Sequence, residues 1–351
     1  MRSPLLDTPG AVAADAPDQA VAAHYGELYA EQRALAAGEA LVDRSNREVV
    51  RISGPDRLTW LNNLSSQKLD TLTPGTPSQT LLLDPQGRVE HHLTLVDDGA
   101  SVWAHVEPGT AGPLIAFLEK MRFMLRVEVT DMTAEYAVVT VGGPGAGAPA
   151  AAPSDVIAIG EDLLVQRERL AGLPAALGLR PAGLWAYEAL RIEAHLPRLG
   201  FDTDHKTIPH EVGWIGAAVH LSKGCYRGQE TVARVHNLGH PPRRLVFLHL
   251  DGSADTLPPH GAPVTLGVST PREADPEAAV EGTAEPGQIG FVGSSARHHE
   301  LGPIALAVVK RTVPVDIDLL AGGVAATQEV VVPPDAGRNV TIDPALRRRI
   351  R

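Results

Sequence analysis

The chain's single cysteine lies in a segment whose composition suits thiol chemistry. Cys225 belongs to the run Lys223-Gly224-Cys225-Tyr226-Arg227-Gly228-Gln229-Glu230, which is polar and contains two glycines. A core cysteine normally lies among aliphatic residues, so this one is expected to be accessible. Lys223 and Arg227 are two residues away, and nearby positive charge favours the reactive thiolate. We interpret Cys225 as a functional thiol; the alternative is a half-buried thiol in a tight turn.

The histidines near this cysteine do not have the spacing of a metal site. They are His210, His220, His236 and His240. Structural zinc sites pair closely spaced cysteines and histidines, and iron-sulfur clusters normally take four thiolates, so no metal site is predicted. A cysteine nucleophile with His220 or His236 as its base stays open. The sequence contains neither G-x-S-x-G nor H-E-x-x-H, which excludes serine hydrolases and zinc peptidases that carry those motifs.

A second candidate group is the run Arg191-Ile192-Glu193-Ala194-His195 at the end of a predicted helix, Leu184–Ala194. If Glu193 lines a cavity, its carboxylate can accept two N–H groups from an amino-heterocycle such as a pterin. The alternative is a solvated charge on a helix face.

Local patterns predict the elements that would position these residues. Apolar spacing and turn chemistry indicate helices at Ala20–Ala37, after Gly54-Pro55-Asp56, at Ala111–Arg122 and at Leu184–Ala194, and strands at Ala40–Asp43, Glu48–Ile52, Gln79–Leu83, Val89–Val96, Ser101–Val106, Leu125–Val129, Arg244–Leu250, Ala262–Val264, Gly287–Val292 and Ile304–Val309. Strands 79–106 form an antiparallel meander, and the last four a small β-barrel or sandwich. We expect exposed loops at Gly142–Ser154 and Gly252–Glu285.

The length and the net charge restrict the class of protein to which this chain can belong. A chain of 351 residues exceeds one comfortable core, so two or three domains are expected. A net charge of -11 disfavours nucleic acid and anionic membranes as general partners. No apolar run reaches the length of a membrane span or a secretion signal, and one cysteine cannot close an internal disulfide. These features predict a cytoplasmic protein with loose tails at 1–19 and 336–351.

Two of these segments resemble a known family. Leu190-Arg191-Ile192-Glu193-Ala194, followed by the cysteine run, is similar to the YgfZ family of folate-binding proteins. The stretch from Leu41-Val42-Asp43-Arg44-Ser45 to Gly54-Pro55-Asp56-Arg57-Leu58 resembles the start of the wider superfamily that contains the glycine-cleavage T-protein.

The resemblance implies a three-domain, cloverleaf-like α+β fold with a split, ferredoxin-like part and a C-terminal β-barrel. Residues 20–240 would form two interleaved α+β domains, with an insert at about 54–132, and residues 241–335 the barrel. It also implies a central funnel for tetrahydrofolate and an accessory role in iron-sulfur cluster assembly or repair, with client or assembly proteins as partners.

The resemblance also assigns residues. Cys225 would be the functional thiol, supported by Lys223. The motif residues would be Gly224, Tyr226, Arg227, Gly228, Gln229, Glu230 and Arg234. Glu193 would recognise the folate, with Arg191 and His91 near it.

One departure bears on enzymatic activity. T-protein aminomethyltransferases carry an acidic residue after the glycine turn of the meander, whereas this chain reads Gly87-Arg88-Val89-Glu90-His91-His92, with His91 at that position. In a strand, Glu90 would face away from the side of His91. This disfavours aminomethyl transfer, which stays as the alternative function.

Overall fold

The structure, a computed structural model, describes residues 1–147, 156–253, 255–267 and 287–340. Its helices are α1 (Leu28–Ala36), α2 (Arg57–Leu64), α3 (Ala111–Lys120), α4 (Leu173–Leu177), α5 (Leu184–Glu193) and α6 (Gln229–Asn237). Its strands are β1 (Val12–Ala13), β2 (Ala22–His24), β3 (Ala40–Asp43), β4 (Glu48–Ser53), β5 (Pro77–Leu83), β6 (Val89–Asp97), β7 (Ser101–Val106), β8 (Glu128–Asp131), β9 (Tyr136–Val141), β10 (Ile157–Ile159), β11 (Asp162–Gln166), β12 (Arg180–Ala182), β13 (Arg243–Leu250), β14 (Pro263–Leu266), β15 (Gln288–His298), β16 (Gly302–Lys310), β17 (Leu319–Ala321) and β18 (Val324–Val330).

The strands form two five-stranded open sheets, a closed barrel and a separate two-stranded pair, β1-β2. The first sheet has the order β10-β11-β9-β3-β12, with β12 parallel to β3. The second sheet has the order β5-β6-β7-β4-β8 and is antiparallel throughout. The closed barrel has the order β13-β16-β15-β14-β17-β18. The α+β class with a C-terminal β-barrel is therefore confirmed.

Helices bury one apolar face of each sheet. α1 and α5 pack on the first sheet through Leu35, Val42 and Leu190, and α2 and α3 cover the second sheet through Leu61 and Leu114. A further core cluster joins the second sheet, α5 and the barrel, because Leu83, Ile192 and Phe247 all belong to it. α5 thus contributes to cores on two sides, which fixes its direction relative to all three units.

Several predicted boundaries are wrong for identifiable reasons. The helix expected at Ala20–Ala37 begins only at Leu28, because residues 22–24 pair with β1 and Gly26 takes a φ of +114°. The strand expected at Leu125–Val129 starts at Glu128, after Met124 in the left-handed region. β4 pairs with β7 and β8, so the second sheet begins at Glu48, before the expected insert at 54. The other domain boundaries stay predictions.

The N-terminal segment is not a loose tail. Leu5 is buried in a core cluster of the first sheet, and the Ser3 N–H donates to the Ala20 carbonyl at 2.8 Å. Asp18 is buried and binds a distant arginine, Arg198. At the other end, Ala336 packs against the core, whereas 341–351 lie outside the described residues. Parts of both expected loops, 148–155 and 268–286, also lie outside them.

Candidate functional site

A central cavity lies where the two sheets and the barrel meet. It has a volume of about 320 Å³ and takes wall residues from each unit: Asp162 from the first sheet, His92 from the second and Val331 from the end of the barrel. Cavities of about 300–1,000 Å³ are typical of small-molecule sites. The structure also shows a second cavity of about 480 Å³ and a third of about 630 Å³.

One part of the wall of the central cavity is aromatic and uncharged. His92 on β6 lies with its ring 4.7 Å from that of Trp214, centroid to centroid, and its Nε2 is 3.0 Å from Gln79 Oε1. Burial, together with the charge of Arg47, lowers the pKa of His92 to about 3. The imidazole is therefore neutral at physiological pH, and this wall suits the face of a planar ring.

A second part of the wall, beside the β6 residues His92 and Thr94, consists of buried, paired charges. Arg44 Nη1 donates to Asp162 at 2.9 Å, and Arg47 pairs with Glu107. His105 accepts from Arg47 Nε at 2.7 Å, and its other ring nitrogen lies 2.8 Å from Asp162 Oδ2. Burial alone raises the pKa of Asp162, but the charge of Arg44 and the interactions with His105 and Thr140 together outweigh it and hold that pKa well below its usual range. These carboxylates stay ionised and hold the arginines in fixed positions.

Helix α5 presents one stripe to this cavity: Leu184, Tyr187, Glu188 and Arg191. Their spacing of three and four residues places them on one helix face. Arg191 donates to both oxygens of Glu188 and to Asp202, at 2.9 Å for the latter. The structure therefore brings Arg191 to the cavity, as the resemblance implied, but with its donors engaged by protein groups.

Glu193 lies elsewhere, on the opposite face of α5. Its side chain is 44% exposed and its Oε2 is 3.1 Å from Nε2 of the buried His298. Within the described ranges it lines none of the three cavities. The cavity carboxylate with a spare oxygen is Glu161, whose Oε1 accepts the Gly145 N–H at 3.2 Å and whose Oε2 has no partner among the described residues.

His91 also lies outside the central cavity, because strand alternation sends it to the other face of β6. It is opposite Leu82, whose side chain packs in the core under α2 and α3. Burial lowers its pKa to about 4. The cavity-facing position belongs to His92, one residue later. Glu90 lies at an irregularity of the β5–β6 pairing, lines the third cavity and pairs with Arg227 at 2.9 Å.

The cysteine loop packs against the β5–β6 turn. Cys225 is exposed, as expected, but the neighbouring Tyr226 is buried in the core that joins the second sheet and barrel. The loop is thus partly a core element. In the described part of the chain, Cys225 lines none of the three cavities.

Both cations of the loop have other partners. Lys223 Nζ donates to the carbonyls of Asn62, Ser65 and Gln67, the last at 2.9 Å, so it fastens the loop to the end of α2. Burial lowers the pKa of Lys223 to about 8. Arg227 pairs with Glu90 and lies over the Phe117 ring. The role of these cations in favouring a thiolate stays a prediction.

Two glycines explain the shape of the loop. Gly228 has a φ of +82°, and a Cβ there would lie 2.6 Å from the Asp84 carbonyl oxygen and 2.9 Å from Gly87 Cα. Gly87 has a φ of +78° and would meet Thr231 in the same way. The loop and the turn therefore touch backbone to backbone. The remaining motif residues begin helix α6: Gln229, Glu230 and Arg234.

Most of the cavity wall was not predicted from the sequence. The residues not predicted are Arg44, Arg47, Gln79, His92, His105, Glu107, Asp162 and Trp214. Arg44 and His92 were noted only within longer runs, and the others come from strands and loops that are distant from one another in the sequence. The one available signal was the parity of β6, since His92 and Thr94 share a face.

Comparisons with known proteins agree with this architecture. Residues 5–156 match the model of the GCVT N-terminal domain. An aminomethyltransferase from Synechococcus sp. is 29% identical over 282 residues, 68% of this chain and 75% of the relative. One from Symbiobacterium thermophilum is 27% identical over 286 residues, 69% of this chain and 75% of the relative. These matches support the glycine-cleavage T-protein superfamily and do not distinguish the YgfZ family within it.

A solved structure shares the fold. The glycine cleavage system aminomethyltransferase T from Bartonella henselae superposes with a TM-score of 0.74 at 18% sequence identity, covering 96% of this chain and 98% of that one. In the described ranges, no helix combines the length and apolar character that crossing a membrane requires.

Proposed function

We propose that this protein binds a tetrahydrofolate derivative in the central cavity. The observation that carries the proposal is a cavity at the junction of three units whose wall combines two neutral aromatic rings, His92 and Trp214, with fixed charges. A reduced pterin is planar, with N–H donors along its edge. The spare oxygen of Glu161 is a suitable acceptor for such donors. The similarity to aminomethyltransferases is consistent with this ligand class.

Folate titration against two carboxylate variants tests this proposal. We expect Glu161→Gln to weaken tetrahydrofolate binding about ten-fold or more, since a hydrogen bond to a charged group contributes about 1.5–3 kcal/mol. Glu193→Gln is the matched variant from outside the cavity and should bind like the wild type. Isothermal titration calorimetry under anaerobic conditions measures both. Weaker binding by Glu193→Gln alone would instead favour the assignment taken from the family resemblance and move the pterin away from this cavity.

We further propose that the bound folate serves an accessory role in iron-sulfur cluster assembly or repair, with Cys225 as the reactive thiol. The support is the exposed sulfur together with the specific motif around it. A loop fastened by Lys223 and by the Gly228 contact would hold that thiol in a fixed position at the surface. Client or assembly proteins could reach it there without entering the cavity.

Substitution of the thiol tests this role in cells that contain only the variant protein. Cys225→Ser should lower the activities of iron-sulfur enzymes, whereas Ser222→Ala, three residues earlier, should not. Folate binding by the purified Cys225→Ser protein should be unchanged, since Cys225 lies outside the central cavity. Undiminished iron-sulfur enzyme activities in the Cys225→Ser cells would contradict the thiol proposal and leave the folate proposal standing.

Aminomethyl transfer remains the second candidate, because the similar proteins named above are aminomethyltransferases. One structural feature disfavours this activity: no acidic residue of β6 lines the central cavity. The β6 residues that line it are His92 and Thr94, and Glu90 is paired with Arg227. Release of ammonia and methylene-folate from an aminomethylated lipoyl carrier is the assay. Turnover that falls on substitution of Glu90 or His92 would establish the enzyme, and absence of turnover would remove this candidate.

A further inference from the structure

The second cavity adjoins the central one, since Leu184, Glu188 and Arg198 line both. Its walls come from the first turn of α1, from α5, from the loop at residues 198–201 and from barrel residues 293–297. Its volume of about 480 Å³ is within the range of small-molecule sites. Nothing in the folate proposal uses this space.

Four aromatic side chains line the cavity: Tyr29, Trp185, Phe201 and His260. Tyr29 and Trp185 are 45% and 46% exposed and form part of the rim. Phe201 is half-buried and lies beside the exposed His260, with ring centroids 5.3 Å apart. The Tyr29 hydroxyl and the Trp185 Nε1–H have no hydrogen-bond partner among the described residues. Large aromatic surfaces with polar edges directed at solvent are suited to a flat ring that offers acceptors at its edge.

A paired arginine separates the two cavities. Arg198 lines both, and its guanidinium is held by Asp18 at 2.8 Å and by Glu107 at 2.9 Å. It also lies 4.2 Å above the Phe201 ring. Because these groups are mutually neutralising and buried, they form a stable partition. A ligand in the second cavity therefore does not share space with one in the central cavity.

The charges around the second cavity indicate the charge of its ligand. The buried charges are paired: Arg198 with Asp18, and Glu188 with Arg191 at 2.6 Å. Arg297 is paired with Asp255 at 2.9 Å, and the other lining carboxylate, Asp15, is exposed and stays solvated. A charged ligand in the buried part of the cavity would be desolvated without a free counter-ion, which is costly. We propose that the second cavity binds a neutral, flat aromatic molecule of one or two fused rings, independently of tetrahydrofolate.

The probe for this site is 5-fluoroindole, which is neutral, bicyclic and observable by fluorine-19 NMR. Titration of the full-length protein should give saturable broadening of its signal. Leu28→Trp places a large side chain at the cavity from the first turn of α1 and should abolish saturable binding. Leu301→Trp adds the same side chain at an exposed site outside the cavity and should leave binding unchanged.

Two further measurements keep the proposal falsifiable. Trp185→Leu removes a rim ring that is largely exposed and should weaken binding about three- to ten-fold without affecting folding. Saturating tetrahydrofolate should not displace the probe. The proposal is overturned if the wild type gives no saturable binding, if Leu28→Trp binds like Leu301→Trp, or if tetrahydrofolate displaces the probe. The first two of these results do not depend on whether the folate proposal holds.

Discussion

Replacing Arg198 by methionine should destabilise the protein strongly. The arginine side chain is 7% exposed, and its partners Asp18 and Glu107 are 8% and 11% exposed. Removing one member of a buried ion pair leaves an uncompensated charge and costs about 3–5 kcal/mol. Asp18 retains Asn46, and Glu107 retains Arg47, so we expect the lower end of that range, about 3 kcal/mol.

Urea unfolding followed by circular dichroism measures this loss as a lower midpoint at an unchanged slope. Arg126→Met is the matched control, since Arg126 forms a similar pair with Asp56 while 74% exposed, and its midpoint should not move. The double variant Arg198→Met with Asp18→Asn should recover part of the loss, because one of the stranded charges is gone. If Arg198→Met is as stable as Arg126→Met, the buried ion pairs of Arg198 do not contribute to the stability of the protein.

Further predictions concern pH, backbone and thiol. The His92 ring should show no titration between pH 5 and 8 by NMR, because burial holds its folded pKa at about 3 against an unfolded value of about 6.5. Burial raises the folded pKa of Glu107, but the charges of Arg47 and Arg198 outweigh burial and hold that pKa below its unfolded value of about 4.3. The ionised carboxylate therefore stabilises the fold above about pH 4.3, and this contribution is lost as the pH falls below about 4. The free energy of unfolding of Glu107→Gln should depend less on pH in this acid range than that of the wild type. Gly228→Ala should destabilise the protein more than Gly200→Ala. Both glycines have a φ near +82°, but only at Gly228 would the added Cβ lie 2.6 Å from a backbone oxygen. The midpoints of urea unfolding compare the two variants, and equal losses of stability would contradict the close contact at Gly228. Native protein should take up one equivalent of iodoacetamide, and Cys225→Ser none, as mass spectrometry would show.

The fold was largely predictable, because turn sequences and the alternation of apolar and polar residues in strands are local patterns. The meander appears as expected, with β5, β6 and β7 within two residues of the predicted ends, since Asp84-Pro85-Gln86-Gly87 and Asp97-Asp98-Gly99 mark its turns. Most of the first sheet was not predicted. Its strands β10 and β12 have three residues each, and their pairing with distant partners carries no local pattern.

The site was less predictable, because its walls depend on which face each side chain occupies. Arg191 lines the central cavity, while Glu193, two residues further along α5, turns to the barrel and His298. His91 and His92 differ in the same way on a strand. A motif identifies a segment, whereas the direction of a side chain depends on helix phase or strand parity, which one residue of misalignment reverses.

The shared walls of the central cavity have a consequence for how this protein can be dissected. Each unit supplies only a fraction of the enclosure, so an excised sheet or an isolated barrel would present an open, shallow surface in its place. A molecule seated there touches all three units at once and acts as a non-covalent crosslink between them. Its binding energy would then appear as resistance to the separation of the units, and heat or denaturant would release ligand and undock the units in one step.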